Sequence, residues 1–218
     1  MITEAYSIEK ITSPNFWEGR AGKKVIAIVN HITAGLMPGC LDWLTNPKSK
    51  ASTHYLITKT GRIIQLVDEA NTAWHCGTVQ KPSWGLYDGT NPNRYTIGIE
   101  HEALPGQGLT DAQFISSATL HYDLVKRYGL SVDSEHIIGH YRIDSVQRPN
   151  DPGAGFPWDK LFNDLKARLM ESITVTVKGQ RVQGRLIDGL TWVPIRELVD
   201  KLNYSVYWND EYKSVDVR

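Results

Sequence analysis

The run Val25-Ile26-Ala27-Ile28-Val29-Asn30 carries no charge, is dominated by β-branched residues and is too short for a buried helix. It reads as a buried strand, and it is one of several. Residues 54–58, 63–67, 95–100 and 136–138 have the same character, and Lys59-Thr60-Gly61 is placed to join the second and third strands as a hairpin. One long helix stands out over 111–128. Thr110 and Gln113 form a capping box at its start, Gly129 follows its end, and Phe114, Ala118, Tyr122 and Val125 recur at helical spacing as its buried stripe. Further helices are expected over 41–45 and 158–172, and residues 78–93, rich in Gly, Pro, Asn and aromatics, read as a long exposed loop of the kind that often binds ligands. Strands interleaved with helices predict an α/β domain over residues 1–171, with a central mixed β-sheet flanked by helices.

The pattern changes at 172. Residues 173–177 alternate, Lys178-Gly179-Gln180 turns, and 182–187 return as a partner strand. A helix over 193–202 tolerates Pro194 in its first turn, and 204–208 with 213–217 make a hairpin around Asn209-Asp210-Glu211. The segment 172–218 is thus expected to be a small ββαββ domain, near the size at which a lone core is marginal, docking on the larger domain or on a partner.

Composition narrows the function classes. Of 218 residues, 24 are Lys or Arg and 24 are Asp or Glu, so there is no basic footprint for nucleic acid or an anionic membrane. Two cysteines, Cys40 and Cys76, make no disulfide framework, and spacing does not decide whether they pair. The first ten residues lack a cationic and an apolar region, and no apolar run is long enough to span a bilayer. Synthesis in the cytoplasm without a signal peptide is expected.

Three residues stand where a metal could be held. His31 closes the 25–30 run, His140 closes His136-Ile-Ile-Gly, and Asp151 lies eleven residues later in Arg148-Pro-Asn-Asp-Pro-Gly. Two strand-end histidines and a carboxylate on a Pro/Gly-locked loop offer three ligands to zinc and leave a fourth position for water, the pattern of a catalytic site. The plain alternative is two hydrogen-bonded histidines and a turn. In Tyr95-Thr-Ile-Gly-Ile-Glu100, period two puts Gly98 and Glu100 on one face, with Gly98 leaving open space under a substrate and Glu100 available as a general base; otherwise Glu100 merely ends a strand in solvent. Trp74 and His75 offer an aromatic surface with a polar tip suited to sugar or peptide, although Trp74 serves equally as core. His54 reads as structural, and His101, His121 and His136 show no partner pattern.

Val-Asn-His31-Ile-Thr-Ala, Ser-Thr-His-Tyr-Leu-Ile57 with Lys-Thr-Gly61, Ala-Trp-His75, Tyr-Thr-Ile-Gly-Ile-Glu100, Ile-Ile-Gly-His140 and Asn-Asp-Pro-Gly153 follow one another in a distinctive order. That order resembles the zinc-dependent N-acetylmuramoyl-L-alanine amidases related to phage lysozyme-type amidases and peptidoglycan recognition proteins. The resemblance covers roughly residues 20–170. It implies cleavage of the amide between the muramic acid lactyl group and L-alanine in bacterial peptidoglycan, with His31, His140 and Asp151 as zinc ligands and Glu100 as the catalytic glutamate. Two positions depart from the family pattern. Thr53 stands where many members carry a catalytic tyrosine, and Pro149 stands where a lysine precedes the third ligand; counted from His140, Arg148 takes the lysine's place and is assigned the oxyanion.

The C-terminal segment, with Gly189-Leu-Thr-Trp-Val-Pro-Ile-Arg-Glu-Leu198 and Tyr-Ser-Val-Tyr-Trp208, resembles the small stalk-type domain named after the N-terminal region of copper amine oxidases, which here implies wall binding and not copper. A phage or prophage endolysin, made in the cytoplasm and acting on the wall after release, fits these features together. A non-catalytic recognition protein and a cytoplasmic amidase recycling muropeptides are the competing expectations.

Overall fold

The computed structural model describes residues 7–187, 190–209, 211–212 and 214–217. The expectations for residues 1–6, for Asp210 in a turn and for Lys213 in a strand lie outside the described residues. By its contacts the chain divides into two compact units, Met1–Leu165 and Lys166–Arg218.

The first unit runs β1 (Ile8–Lys10), β2 (Phe16–Trp17), β3 (Ala27–Ile32), α1 (Gly39–Thr45), β4 (Tyr55–Ile57), β5 (Ile63–Gln65), β6 (Thr72–Ala73), β7 (Thr96–His101), α2 (Asp111–Tyr128), β8 (Ile137–Gly139) and the start of α3 (Trp158–Leu169). Six strands form one mixed sheet in the order β1-β5-β4-β7-β3-β8, in which β4 and β5 pair antiparallel and the other neighbours parallel. This is the expected α/β architecture.

Two faces of that sheet divide the labour. Ile97, Ile99 and His101 point to the side covered by α2, where His101 Nε2 meets Ser117 Oγ at 2.8 Å. Thr96, Gly98 and Glu100 point to the other side, together with His31, because β3 and β7 run parallel with His31 opposite Glu100. Under that second face, Cys40 and Leu44 of α1 pack with Leu56, Ile64 and Leu66.

The α2 boundaries fall where the capping residues put them. Thr110 Oγ1 accepts from the Gln113 amide, and Gly129 adopts φ +64°. The capping box is not reciprocal, however. Gln113 is fully buried and its Nε2 donates to the carbonyls of Ile57 and Glu102, tying the helix start to the sheet. The buried stripe is also wider than expected, since Ser117, Leu120, His121 and Leu124 are buried while Tyr122 is half-buried. Residues 78–93 are irregular as expected but not wholly exposed: Trp84 is buried, stacks on Tyr95 and donates from Nε1 to the Glu135 carbonyl.

In the second unit β9 (Glu171–Val177), β10 (Gln180–Ile187) and β11 (Leu190–Trp192) form an antiparallel sheet, followed by α4 (Ile195–Lys201) and the hairpin β12 (Val206–Asn209) with β13 (Ser214–Val217). Two expectations need correction. The helix drawn to 172 stops at Leu169, because Glu171 and Ser172 pair with Leu186 and Arg185 and the ladder claims them. The ββαββ pattern gains a third strand, as Leu190-Thr-Trp192 pairs back on β10.

Glu69 ties three elements of the first unit together. Its carboxylate accepts from the Tyr55 hydroxyl, from Tyr128 Oη at 2.5 Å and from Arg127 Nη1 and Nη2 at 2.5 and 2.8 Å. Burial alone would raise its pKa, but the hydrogen bonds of Arg127, Tyr128 and Tyr55 prevail and hold it at about 2. A carboxyl depressed in the native state adds stability that is present above its unfolded pKa near 4.5 and lost as the pH falls toward 2. Glu69→Gln is therefore expected to cost about 2–3 kcal/mol near neutrality. In urea denaturation the gap between wild type and variant should close between those two pH values, and a gap independent of pH would refute the assignment.

Candidate active site

A cleft of about 580 Å³ opens at the carboxyl ends of β3 and β7. Its floor is His31, His75, Glu100, His140 and Asp151, with Trp43 and Leu44 of α1 on one wall and the loop Gln147 to Asn150 on another. His31 is not beyond its strand as expected. The strand extends through Ile32, so His31 is held within the sheet, paired with Glu100 of β7 one residue beyond the end of the β8 pairing, and is 1% exposed. His140 follows β8 as the first residue of a 3-10 turn, and Asp151 comes from the irregular loop after it.

These three side chains converge. His31 Nδ1 and His140 Nδ1 are 3.1 Å apart, and Asp151 Oδ2 lies 3.2 and 3.1 Å from them. Asp151 Oδ1 accepts from the Ile32 amide at 2.9 Å, which turns the other carboxylate oxygen toward the histidines. His140 Nε2 donates to the Cys76 carbonyl at 2.8 Å, so Nδ1 of a neutral His140 carries a lone pair. Tetrahedral zinc with bonds of about 2.0–2.1 Å separates its ligand atoms by about 3.3 Å. The triangle found here has that size and that donor chemistry, so the residues fit a zinc ion.

Electrostatics set the protonation states around the triangle. Burial lowers the His31 pKa, against the pull of Asp151, favouring the neutral ring that a metal requires. Burial pushes Asp151 up, but hydrogen bonds and charge from His140 and His31 hold it below the usual carboxylate range. Glu100 behaves oppositely: burial and the Asp151 charge raise its carboxyl well above the ordinary value, with Arg148 opposing. Glu100 Oε2 is buried and has no hydrogen-bond partner among the described residues. Glu100 is a half-buried carboxyl within β7 that lines the cleft with Arg148, not a strand end in solvent.

The remaining predicted residues take varied places. Gly98 does not leave a void beneath a substrate. A Cβ there would stand 2.5 Å from His75 Cγ, so the His75 ring already fills the space. His75 is buried, with its ring edge against His31 and His54. Trp74 is half-buried, lines the cleft and leans on Trp17 at 5.3 Å. Thr53 is fully buried outside the cleft wall. Arg148 lines the cleft and is exposed, donating to the Gln147 carbonyl. His54 takes the structural part expected of it, accepting from the Gly98 amide. Cys40 and Cys76 are free thiols, and Cys76 Sγ faces Thr96 and His75. Sequence reading missed the Cys76 carbonyl, Asn93 and Trp43. Trp43, 59% exposed on α1, had a detectable signal as an apolar residue on the polar side of its helix.

Residues 21–154, which contain all of these groups, match the family described as N-acetylmuramoyl-L-alanine amidase. The chain belongs to this family. N-acetylmuramoyl-L-alanine amidase A of Achromobacter lyticus is 30% identical over 162 residues, covering 66% of this chain and 84% of that protein. The 1,6-anhydro-N-acetylmuramyl-L-alanine amidase AmpD of Haemophilus influenzae is 35% identical over 118 residues, covering 54% of this chain and 60% of its own length. Among solved structures, AmiD of Escherichia coli in complex with anhydro-N-acetylmuramic acid-L-Ala-D-gamma-Glu-L-Lys superposes with a TM-score of 0.57 at 28% identity. That match covers 75% of this chain and 60% of AmiD.

If the amidase holds its metal as this geometry implies, the purified protein should carry one zinc per chain by atomic absorption. Asp151→Ala should lower that content sharply without unfolding the sheet. Full zinc retention in the variant would exclude Asp151 as a ligand.

Proposed function

We propose that the protein is a zinc-dependent hydrolase of bacterial peptidoglycan that cuts the amide between the N-acetylmuramic acid lactyl group and L-alanine. The supporting observation is a three-donor triangle of zinc dimensions beside a buried, unpartnered carboxyl, in a chain of this amidase family. Zinc held by His31, His140 and Asp151 supplies Lewis acidity toward the amide carbonyl and lowers the pKa of the attacking water. Glu100, whose proton affinity is raised by burial, takes up the proton released by that water and returns it to the leaving L-alanine nitrogen. Arg148, on the rim loop, faces the oxygen on which negative charge develops. Trp74 offers the substrate an apolar surface, and His75 forms part of the floor beside it.

A non-catalytic recognition protein has no use for an intact donor triangle and a buried base, and this chain keeps both. We place the enzyme as a phage or prophage endolysin that reaches the wall after release. The second unit motivates this. It exposes Leu190, Trp192, Tyr207, Trp208 and Tyr212, a surface suited to holding wall polymer, and a stalk-type module appended to a catalytic unit serves that purpose. Recycling of soluble muropeptides is the second reading, favoured by the similarity to AmpD.

Mass spectrometry of digested peptidoglycan tests the reaction. New L-alanine amino termini on intact glycan strands are expected, abolished by chelation and slowed about 10²–10⁴-fold by Glu100→Gln. Cut glycan or cut peptide cross-links would sink the proposal. Faster turnover of intact walls than of soluble muropeptides supports the endolysin reading, and the reverse supports recycling. For the second unit, Trp192→Ala should reduce co-sedimentation with purified walls while leaving turnover of soluble muropeptides unchanged. Undiminished sedimentation would remove its wall-binding role.

A further inference from the structure

Two adjacent residues outside the donor triangle back both of its histidines. The Cys76 carbonyl accepts from His140 Nε2 at 2.8 Å, and His75 Nδ1 lies 3.1 Å from His31 Nε2. Both amides of this pair, His75 N and Cys76 N, donate to the buried Asn93 Oδ1 at 3.0 and 2.8 Å. The pair is therefore fixed as one unit.

The direction of each hydrogen bond follows from a dead end. The Pro92 carbonyl can only accept, and Thr96 Oγ1 gives it its single hydrogen at 2.8 Å. His75 Nε2, 3.2 Å from the same Oγ1, must then donate. A neutral imidazole has one N–H, so His75 Nδ1 is bare and accepts from His31 Nε2. That leaves His31 Nδ1 bare and facing His140 and Asp151. Among the described residues the other hydrogen-bonding neighbour of His75 Nδ1 is the weakly donating Cys76 thiol at 3.4 Å, which is compatible with a bare nitrogen. Gly98 completes the device, because a Cβ at that position would displace the His75 ring.

We propose that His75 is a positioning residue which, through Thr96 and Pro92, fixes His31 in the tautomer that presents Nδ1 to the metal. This rests on the zinc reading of the triangle. It adds that the affinity of the site is set in part by residues that never touch the ion.

The test uses the full chain with His75→Leu, which removes the acceptor, His75→Asn, which restores one where Nδ1 stood, and the near-isosteric Thr96→Val. Zinc affinity is measured by competition with a chromophoric chelator, and the His31 tautomer by long-range ¹H–¹⁵N NMR in zinc-loaded and metal-free protein. We expect His75→Leu to bind zinc about 10–100-fold more weakly, with His75→Asn recovering most of the loss. Thr96→Val should weaken binding several-fold and populate the other His31 tautomer in the metal-free protein. Wild-type affinity in folded His75→Leu, or an unchanged tautomer in Thr96→Val, would overturn the inference. If wild type bound no zinc the metal reading would fail, and the metal-free tautomer would still decide the positioning role.

Discussion

The parallel pairing of β3 with β7 in one register is the constraint on which the site depends. It sets His31 beside Glu100, Val29 beside Gly98 and Ala27 beside Thr96, all on the face away from α2. Neighbouring strands lie about 4.8 Å apart, so this register places His31 and Glu100 at close quarters with no loop to position either. A slip of one residue would send His31 toward α2 and bring Asn30 or Ile32 to the cleft. The apolar faces of both strands forbid that slip, since Ile28, Ile97 and Ile99 are fully buried where they stand.

Burial raises the proton affinity of both acidic groups gathered there, and their partners separate the outcomes. Asp151 stays ionised because two histidines and a backbone amide surround it, whereas Glu100, similarly deprived of water, has no hydrogen-bond partner at Oε2 and holds its proton more tightly. Two carboxyl groups in one cleft are thereby given separate tasks by their surroundings.

Much of the fold was legible because its signals are local. The Thr110 side chain and the left-handed Gly129 bracket α2 locally, and short apolar runs locate five strands of the first unit to within a residue or two, while the short β1, β2 and β6 went unread. His31 and His140 were legible as histidines closing apolar runs, and Asp151 as a carboxylate on a Pro/Gly loop. What could not be read were features decided by distant partners. Gln113 satisfies the capping pattern, yet its amide is spent on Ile57 and Glu102. Gly98 looked like a cleared floor, but the cleared space belongs to a ring 23 positions earlier in the chain. Period two tells which side of a sheet a residue faces and nothing of what fills that side.

The same distinction explains why the donor triangle needs so much support. With both imidazole nitrogens bare, they and the Asp151 oxygen lie within 3.2 Å of one another and repel unless a proton or a cation sits among them, so in that state the chain must supply free energy to hold them together. It does so with groups that fold without metal: the Ile32 amide on Asp151, the Cys76 carbonyl on His140 and the His75 ring on His31. Each belongs to or adjoins a sheet strand or a segment clamped by Asn93, so the repulsion is opposed by the sheet and not by the loops. Asp151 is the exception, being carried on an irregular loop and held to the sheet by one amide bond. Of the three side chains it has the least support.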